Sequence, residues 1–307
     1  MNKLIYGLLP VLMTAVFACT SGGDRQNPGQ LYVVATTQMI ADAASVIAND
    51  LLETDGIMGP GVDPHLYRAT PGDFRKMEEA DLLLYNGLLL EGRLSDILEK
   101  MGDKAYAVSS SIPDSLLKSG YASSGNYDPH IWFDVNLWKY AVRGIGEQLA
   151  ALEPRYAEEF EDNTNRYLAE LDSLERFIHG ELDKIPPNRK ILITAHDAFG
   201  YFGDRYGLEV RALQGLSTVS EYGLQDVSRM VNYIIENDIP AIFVESSIST
   251  RSSESIIAGA EQRGHPLIIG GELYSDAMGA PGTDEGTYIG MFKHNVRTIA
   301  QALTKGL

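Results

Sequence analysis

Cysteine is nearly missing: the chain of 307 residues has one, Cys19. A single thiol forms no disulfide within the chain, and a body without thiols excludes every zinc site built from cysteines. Positive charge is scarce too, with 25 Lys and Arg against 42 Asp and Glu and a formal net charge of -17. Nucleic-acid binders neutralise phosphates with a basic surface, so no nucleic-acid partner is expected and cations suit the chain better than anions. Long apolar runs are lacking as well. The one candidate, Leu4 to Ala18, falls short of the ~20 residues that span a bilayer. There is no short-period repeat, low-complexity tract or His-Glu-x-x-His arrangement.

What is present is an ordinary globular composition, 44% hydrophobic and 22% charged, in a chain long enough for about two domains. The N-terminus differs in kind. Met1-Asn2-Lys3 supplies one positive charge, the apolar run follows, and it stops at Val16-Phe17-Ala18-Cys19. That pattern fits a secretory signal peptide over residues 1–18. Cys19 stands where bacterial lipoprotein signals place their cysteine, and the stretch resembles a lipobox, with Val16 where Leu is commoner. A lipid on Cys19 and a polar tether over residues 19–30 are the expectation, since such a segment buries no core.

Beyond the tether the pattern alternates between short apolar runs and helical periodicity. Leu31 to Thr37, Asp81 to Asn86 and Ala105 to Ser109 read as buried parallel strands of a first α/β lobe, residues 31–150. Thr70-Pro71-Gly72-Asp73 reads as a helix start, with Thr70 as cap and Pro71 in the first turn. Lys190 to Thr194, Val210 to Leu213, Ile239 to Glu245 and Pro266 to Ile269 repeat the scheme in a second lobe, residues 187–307. Between the lobes, residues 151–186 carry no strand signal. Phe160, Tyr167, Leu171, Leu174, Ile178, Leu182 and Ile185 recur at helical spacing, and from Pro154 to about Ile185 they predict one amphipathic helix of roughly 45 Å. The predicted fold class is two α/β lobes with parallel sheets joined by one long rigid backbone helix. A rigid helix, unlike a flexible linker, limits hinge motion.

Six histidines are available for chemistry. His179 lies on the linking helix, His265 in a turn before a strand and His294 in the C-terminal helical stretch; all three read as structural. His196 directly follows the strand Lys190 to Thr194, and Asp276 lies in the loop after Leu267-Ile268-Ile269. Both therefore sit at the carboxyl edges of strands, where open α/β sheets bind ligands. His65 and His130 each close an Asp-Pro-His tripeptide. The proline fixes its own φ and pushes the preceding Asp to an extended conformation, so the backbone carrying each imidazole is stiff. Asp63 and Asp128 either orient those imidazoles, as metal-bound histidines require, or only make the turns. Three nitrogens and a carboxylate from two lobes would suit Zn²⁺, Mn²⁺ or another first-row divalent ion. Spacing leaves their convergence open.

The motifs GVDPHLYRATPGD, DPHIWFDVNLW, TAHDAFGYFGDRYG, LQGLST, IPAIFVESSI and GGELYSDAMG, in that order, resemble the cluster A-I or TroA-like family of solute-binding proteins of metal-uptake ABC transporters. The resemblance runs from about Leu31 to the C-terminus. It implies two α/β lobes bridged by a long helix and places the family's ligands on His65, His130, His196 and Asp276. It also implies an extracytoplasmic or periplasmic lipoprotein, a monomer, that hands zinc or manganese to an ABC permease and is not an enzyme. Two departures stand out. The loop Ser115 to Tyr127 has none of the histidines that zinc-specific members carry there, and His196 stands where many manganese-type members have Glu. The metal preference stays open between zinc and manganese.

The competing expectation is a secreted metal-dependent hydrolase with an open coordination position and Glu245 or Glu221 as general base. Thr218-Val219-Ser220-Glu221 reads more simply as a helix capping box.

Overall fold

The computed structural model describes residues 29–120, 126–219 and 222–304. The signal peptide, Cys19 and most of the tether lie outside them, as does Glu221.

The first lobe is a four-stranded parallel sheet in the order β2-β1-β3-β4. Its strands are β1 (Tyr32–Ala35), β2 (Glu53–Gly56), β3 (Leu82–Tyr85) and β4 (Ala105–Ala107). The apolar runs predict three of these, although β4, at the edge of the sheet, is half-buried rather than buried. β2 has the sequence Glu-Thr-Asp-Gly and is half-buried throughout, so no apolar run marks it. It forms because β1 offers it a full parallel ladder, Tyr32 opposite Glu53 through Ala35 opposite Gly56. Helices α1 (Gln38–Ala48), α2 (Pro71–Glu79), α3 (Ser95–Lys100) and α4 (Val135–Leu152) complete the lobe. α2 starts as the sequence predicts: the Thr70 hydroxyl accepts from the Asp73 amide and the Asp73 carboxylate accepts from the Thr70 amide.

The long helix α5 (Ala157–Leu182) is entered through a tight turn at Pro154–Tyr156. Its 26 residues give it a length of about 39 Å. All the apolar positions that predicted it, from Phe160 to Leu182, are buried. They pack against α1, α4 and α9 (Tyr288–Thr304). Polar contacts pin the same helix to both lobes. Asn163 donates to the Ile47 carbonyl at the end of α1 at 2.8 Å, and the Tyr206 hydroxyl donates to Glu175 at 2.7 Å. One hydrophobic cluster runs from Val33 through α5 to Leu303. Separating the lobes by a wide hinge would tear that core, so large opening motions are costly.

In the second lobe β5 (Ile191–His196) pairs in parallel with β6 (Glu209–Gln214), and β7 (Ala241–Glu245) with β8 (Ile268–Leu273). β5 lies alongside β7, which brings the two pairs together. Helices α6 (Gly200–Tyr206), α7 (Leu224–Glu236) and α8 (Arg251–Gln262) cover them. Two expectations are corrected. The strand read as ending at Ile269 continues through Gly270-Gly271 to Leu273, with a register shift opposite Ile242 and Phe243. The glycines disguise it, and the packing demands them: a Cβ on Gly271 would lie 2.4 Å from the Thr298 side chain of α9, and φ there is 152°. The capping box at Thr218 also fails. α7 starts six residues later, after Gly223, whose amide is held by Asp226 at 2.8 Å, while the Thr218 hydroxyl is engaged elsewhere.

Candidate functional site

The four residues singled out by the sequence meet between the lobes. His65 lies in the loop after β2, His130 in the loop before α4, His196 is the last residue of β5, and Asp276 follows β8 by three residues. All four are buried, with His130 and His196 wholly inaccessible. One ligand atom from each can be chosen so that all lie within 4.8 Å of one another. The Asp276 carboxylate stands at the centre. Its Oδ2 is 3.6 Å from His65 Nε2 and 3.2 Å from His196 Nε2, and its Oδ1 is 3.6 Å from His130 Nε2.

None of these three nitrogens and two oxygens makes a hydrogen bond, although all five are buried. Buried polar atoms are nearly always paired, so five orphans converging on one spot need a common partner. Ligand atoms about 2.0–2.2 Å from a tetrahedral ion lie roughly 3.3–3.6 Å apart, close to the nitrogen–oxygen separations here. The residues present could hold a divalent metal ion.

Two of the imidazoles are aimed by carboxylates behind them. His130 Nδ1 donates to Asp128 Oδ1 at 2.7 Å, and His196 Nδ1 donates to Glu245 Oε2 at 2.5 Å. With the proton held on Nδ1, the Nε2 lone pair faces the site. Glu245 does more. Its Oε1 accepts the backbone amides of Ala195 and His196 at 2.8 and 2.9 Å, tying the end of β7 to the end of β5. Glu245, expected only as a general base, supports His196 instead, and the signal for that place is its position at the carboxyl end of a strand adjacent to that of His196.

Asp63 behaves differently. Its Oδ1 accepts the His65 amide at 2.9 Å, and its Oδ2 accepts the Thr218 hydroxyl of the opposite lobe at 2.6 Å. It makes the turn and an interlobe contact, and no hydrogen bond joins it to the His65 ring. Burial raises its carboxyl above the usual range, and the Asp276 charge adds to that against the Thr218 hydrogen bond.

The charges of the cluster are strongly coupled. Burial pushes His65 down to about 3, outweighing the pull of Asp276, so this imidazole is neutral at ordinary pH. For His196 burial also opposes the charge, but the Glu245 and Asp276 carboxylates prevail and raise it well above the usual histidine range. Burial would raise Asp276, yet the surrounding imidazoles, His196 foremost, hold it below the usual carboxylate range. The cavity is thus built around positive charge.

The other histidines stay outside. His265 Nε2 donates to the Ile239 carbonyl at 2.8 Å, His294 Nε2 donates to the Glu272 carbonyl at 3.0 Å, and His179 stands 3.5 Å from Glu175 on α5.

Fold and site together define a class: a two-lobed α/β binding protein, braced by a long helix, with a buried His₃Asp cluster between the lobes. Residues 33–302 match the family described as "ZnuA: Zinc-uptake complex component A periplasmic", and the chain belongs to that family. It is 46% identical to the manganese-binding lipoprotein MntA of Bacillus subtilis (strain 168) over 97% of this chain and 99% of that protein. It is 45% identical to the zinc-binding protein TroA of Treponema pallidum (strain Nichols) over 92% of each. The solved structure of that periplasmic zinc-binding protein superimposes with a TM-score of 0.88, covering 90% of this chain and all of the other.

Proposed function

We propose that this chain is the extracytoplasmic receptor of an ABC transporter for a divalent transition metal, zinc or manganese, which is its cargo. His65, His130, His196 and Asp276 are the ligands, and the ion is carried between the lobes to a membrane permease. The observation that carries this reading is the set of five buried, unpaired ligand atoms on those four residues. Relatives named for manganese and for zinc support both metals as candidates. Four protein ligands leave little room for a reactive water, which favours binding over catalysis. Glu245, spent on three hydrogen bonds, is in no position to act as a general base. Among the described residues no helix is long and apolar enough to cross a membrane, so attachment would fall to a lipid on Cys19. The relatives named as lipoproteins support that attachment.

The receptor is a monomer with a first lobe at 31–150, a linking helix at 151–186 and a second lobe at 187–307. Its test is metal content. The full chain, solubilised in detergent and stripped of metal, is exposed to Zn²⁺ or Mn²⁺ alongside His65→Ala, His130→Ala, His196→Ala and Asp276→Ala. One ion per chain is expected for the parent and a drastic loss of affinity in each variant. Undiminished binding in all four would sink the assignment. Cys19→Ser is expected to release the protein from membranes, and its persistence in the membrane fraction would refute the lipid.

A further inference from the structure

Asp276 belongs to the second lobe, yet the backbone on both sides of it is gripped by side chains of the first. Trp132 Nε1 donates to the Ser275 carbonyl at 3.1 Å. On the other side Gln38, the first residue of α1, closes a two-point clamp. Its Oε1 accepts the Met278 amide at 2.9 Å and its Nε2 donates to the Gly279 carbonyl at 3.1 Å. A primary amide is the neutral group whose donor and acceptor match a peptide backbone in this way. Asp42, one turn further along α1, extends the grip by accepting the Tyr288 amide at 3.0 Å.

The clamp matters because of how the carboxylate is turned. Asp276 Oδ2 faces His65 and His196 while Oδ1 faces His130, so both oxygens are directed at the cluster. Zn²⁺ is satisfied by four ligands and by one carboxylate oxygen, whereas Mn²⁺ favours oxygen donors and higher coordination numbers. A carboxylate held square to the ion offers the second oxygen, and one free to rotate offers only the first. Holding it square requires a fixed backbone at residues 275–279.

We infer that Gln38 is a positioning and specificity-determining residue, which by clamping Met278 and Gly279 keeps both oxygens of Asp276 on the metal and so sustains manganese binding relative to zinc. The inference rests on the ligand assignment proposed above. Gln38 touches no ligand atom itself; it acts through the loop. Because it stands on the first lobe, it also makes the two-oxygen geometry conditional on the lobes being together.

The test compares Mn²⁺ and Zn²⁺ affinities, by competition with chelators, for the parent full chain, Gln38→Leu and Gln38→Glu, with X-ray absorption at the manganese edge. Gln38→Leu removes both clamp bonds; Gln38→Glu keeps an acceptor for the Met278 amide but loses the donor to Gly279. Expected is a fall in Mn²⁺ affinity of about tenfold for Gln38→Leu and less for Gln38→Glu, with Zn²⁺ changed less than about threefold. The manganese coordination number should drop by one. Equal losses for both metals, or no change in either, would overturn the inference. Asp276→Ala run beside them separates the two layers: if it still binds both metals, the ligand assignment itself is wrong, whereas loss of metal there with an unmoved ratio in Gln38→Leu condemns the clamp alone. Thermal melting of the metal-free variants checks folding; the ratio of the two affinities is the readout that plain destabilisation would not move.

Discussion

Asp63-Pro64-His65 and Asp128-Pro129-His130 are the same tripeptide in two loops of one lobe, and they begin identically. In each, the aspartate Oδ1 accepts the amide of the histidine two residues on, at 2.9 Å. They part at the second use of the carboxylate. Asp128 turns back to the ring of its own histidine, while Asp63 reaches across the cleft to Thr218. His130 is therefore fixed from behind before any metal arrives, and the His65 loop is tied to the opposite lobe instead. One local motif serves as an imidazole support in one place and as a latch in the other: Asp128 spends Oδ1 on both the amide and the ring of His130, whereas Asp63 has its second oxygen engaged by Thr218 across the cleft.

The largest effect should come from the third carboxylate, which supports His196 as Asp128 supports His130. Glu245→Ala removes the ring partner and strands two buried amides, each at a cost of about 1–3 kcal/mol. Metal affinity should fall by at least the upper end of the roughly 10- to 100-fold range for outer-shell partners, with a clear drop in melting temperature. Titration calorimetry and thermal melting check both. Asp128→Ala comes next, with an affinity loss within that same roughly 10- to 100-fold range. If the two tripeptides were equivalent, Asp63→Ala would cost as much as Asp128→Ala in the same titration.

A pH series sharpens the contrast between His65 and His196. In the metal-free protein His196 holds its proton well above the usual histidine range, whereas His65 is lowered to about 3. A metal-bound Nε2 carries no proton, so the free state binds more protons and metal affinity rises with pH. The expected slope is about tenfold per pH unit around neutrality, with close to one proton released per ion, as calorimetry in buffers of different ionisation enthalpy would register. His65 adds proton competition only near pH 3. Affinity flat between pH 6 and 8 would remove His196 from this role. The smallest effect is expected for Thr218→Val, which cuts the latch and leaves every ligand and support in place. Equilibrium affinity should change less than severalfold, while release into excess chelator, followed by stopped flow, should accelerate by up to about tenfold.

Much of this was legible in the sequence, and the limits are physical. The buried strands, the linking helix and the helix start at Thr70 announced themselves because burial leaves apolar runs and 3.6-residue periods. β2 left no such trace, since a half-buried Glu-Thr-Asp-Gly strand is held by its neighbour's backbone. The end of β8 was hidden by glycines that exist for α9. At the site, the strand-end rule offered His196 and Asp276 and the stiff tripeptides offered His65 and His130, but only the resemblance to the TroA-like family joined the four into one ligand set. Their partners were out of reach: Glu245 is 49 residues from His196, Thr218 is 155 from Asp63 and Gln38 is 240 from Met278. Contacts at such separations follow from how the lobes pack, which no local pattern encodes.

The most direct measurement of the central claim is anomalous diffraction from crystals of the metal-loaded chain, recorded at the absorption edge of the bound ion. A single peak is expected, enclosed by His65 Nε2, His130 Nε2, His196 Nε2 and the Asp276 carboxylate, at about 2.0–2.3 Å from each. A peak elsewhere, or one that leaves any of these four side chains uncoordinated, would contradict it.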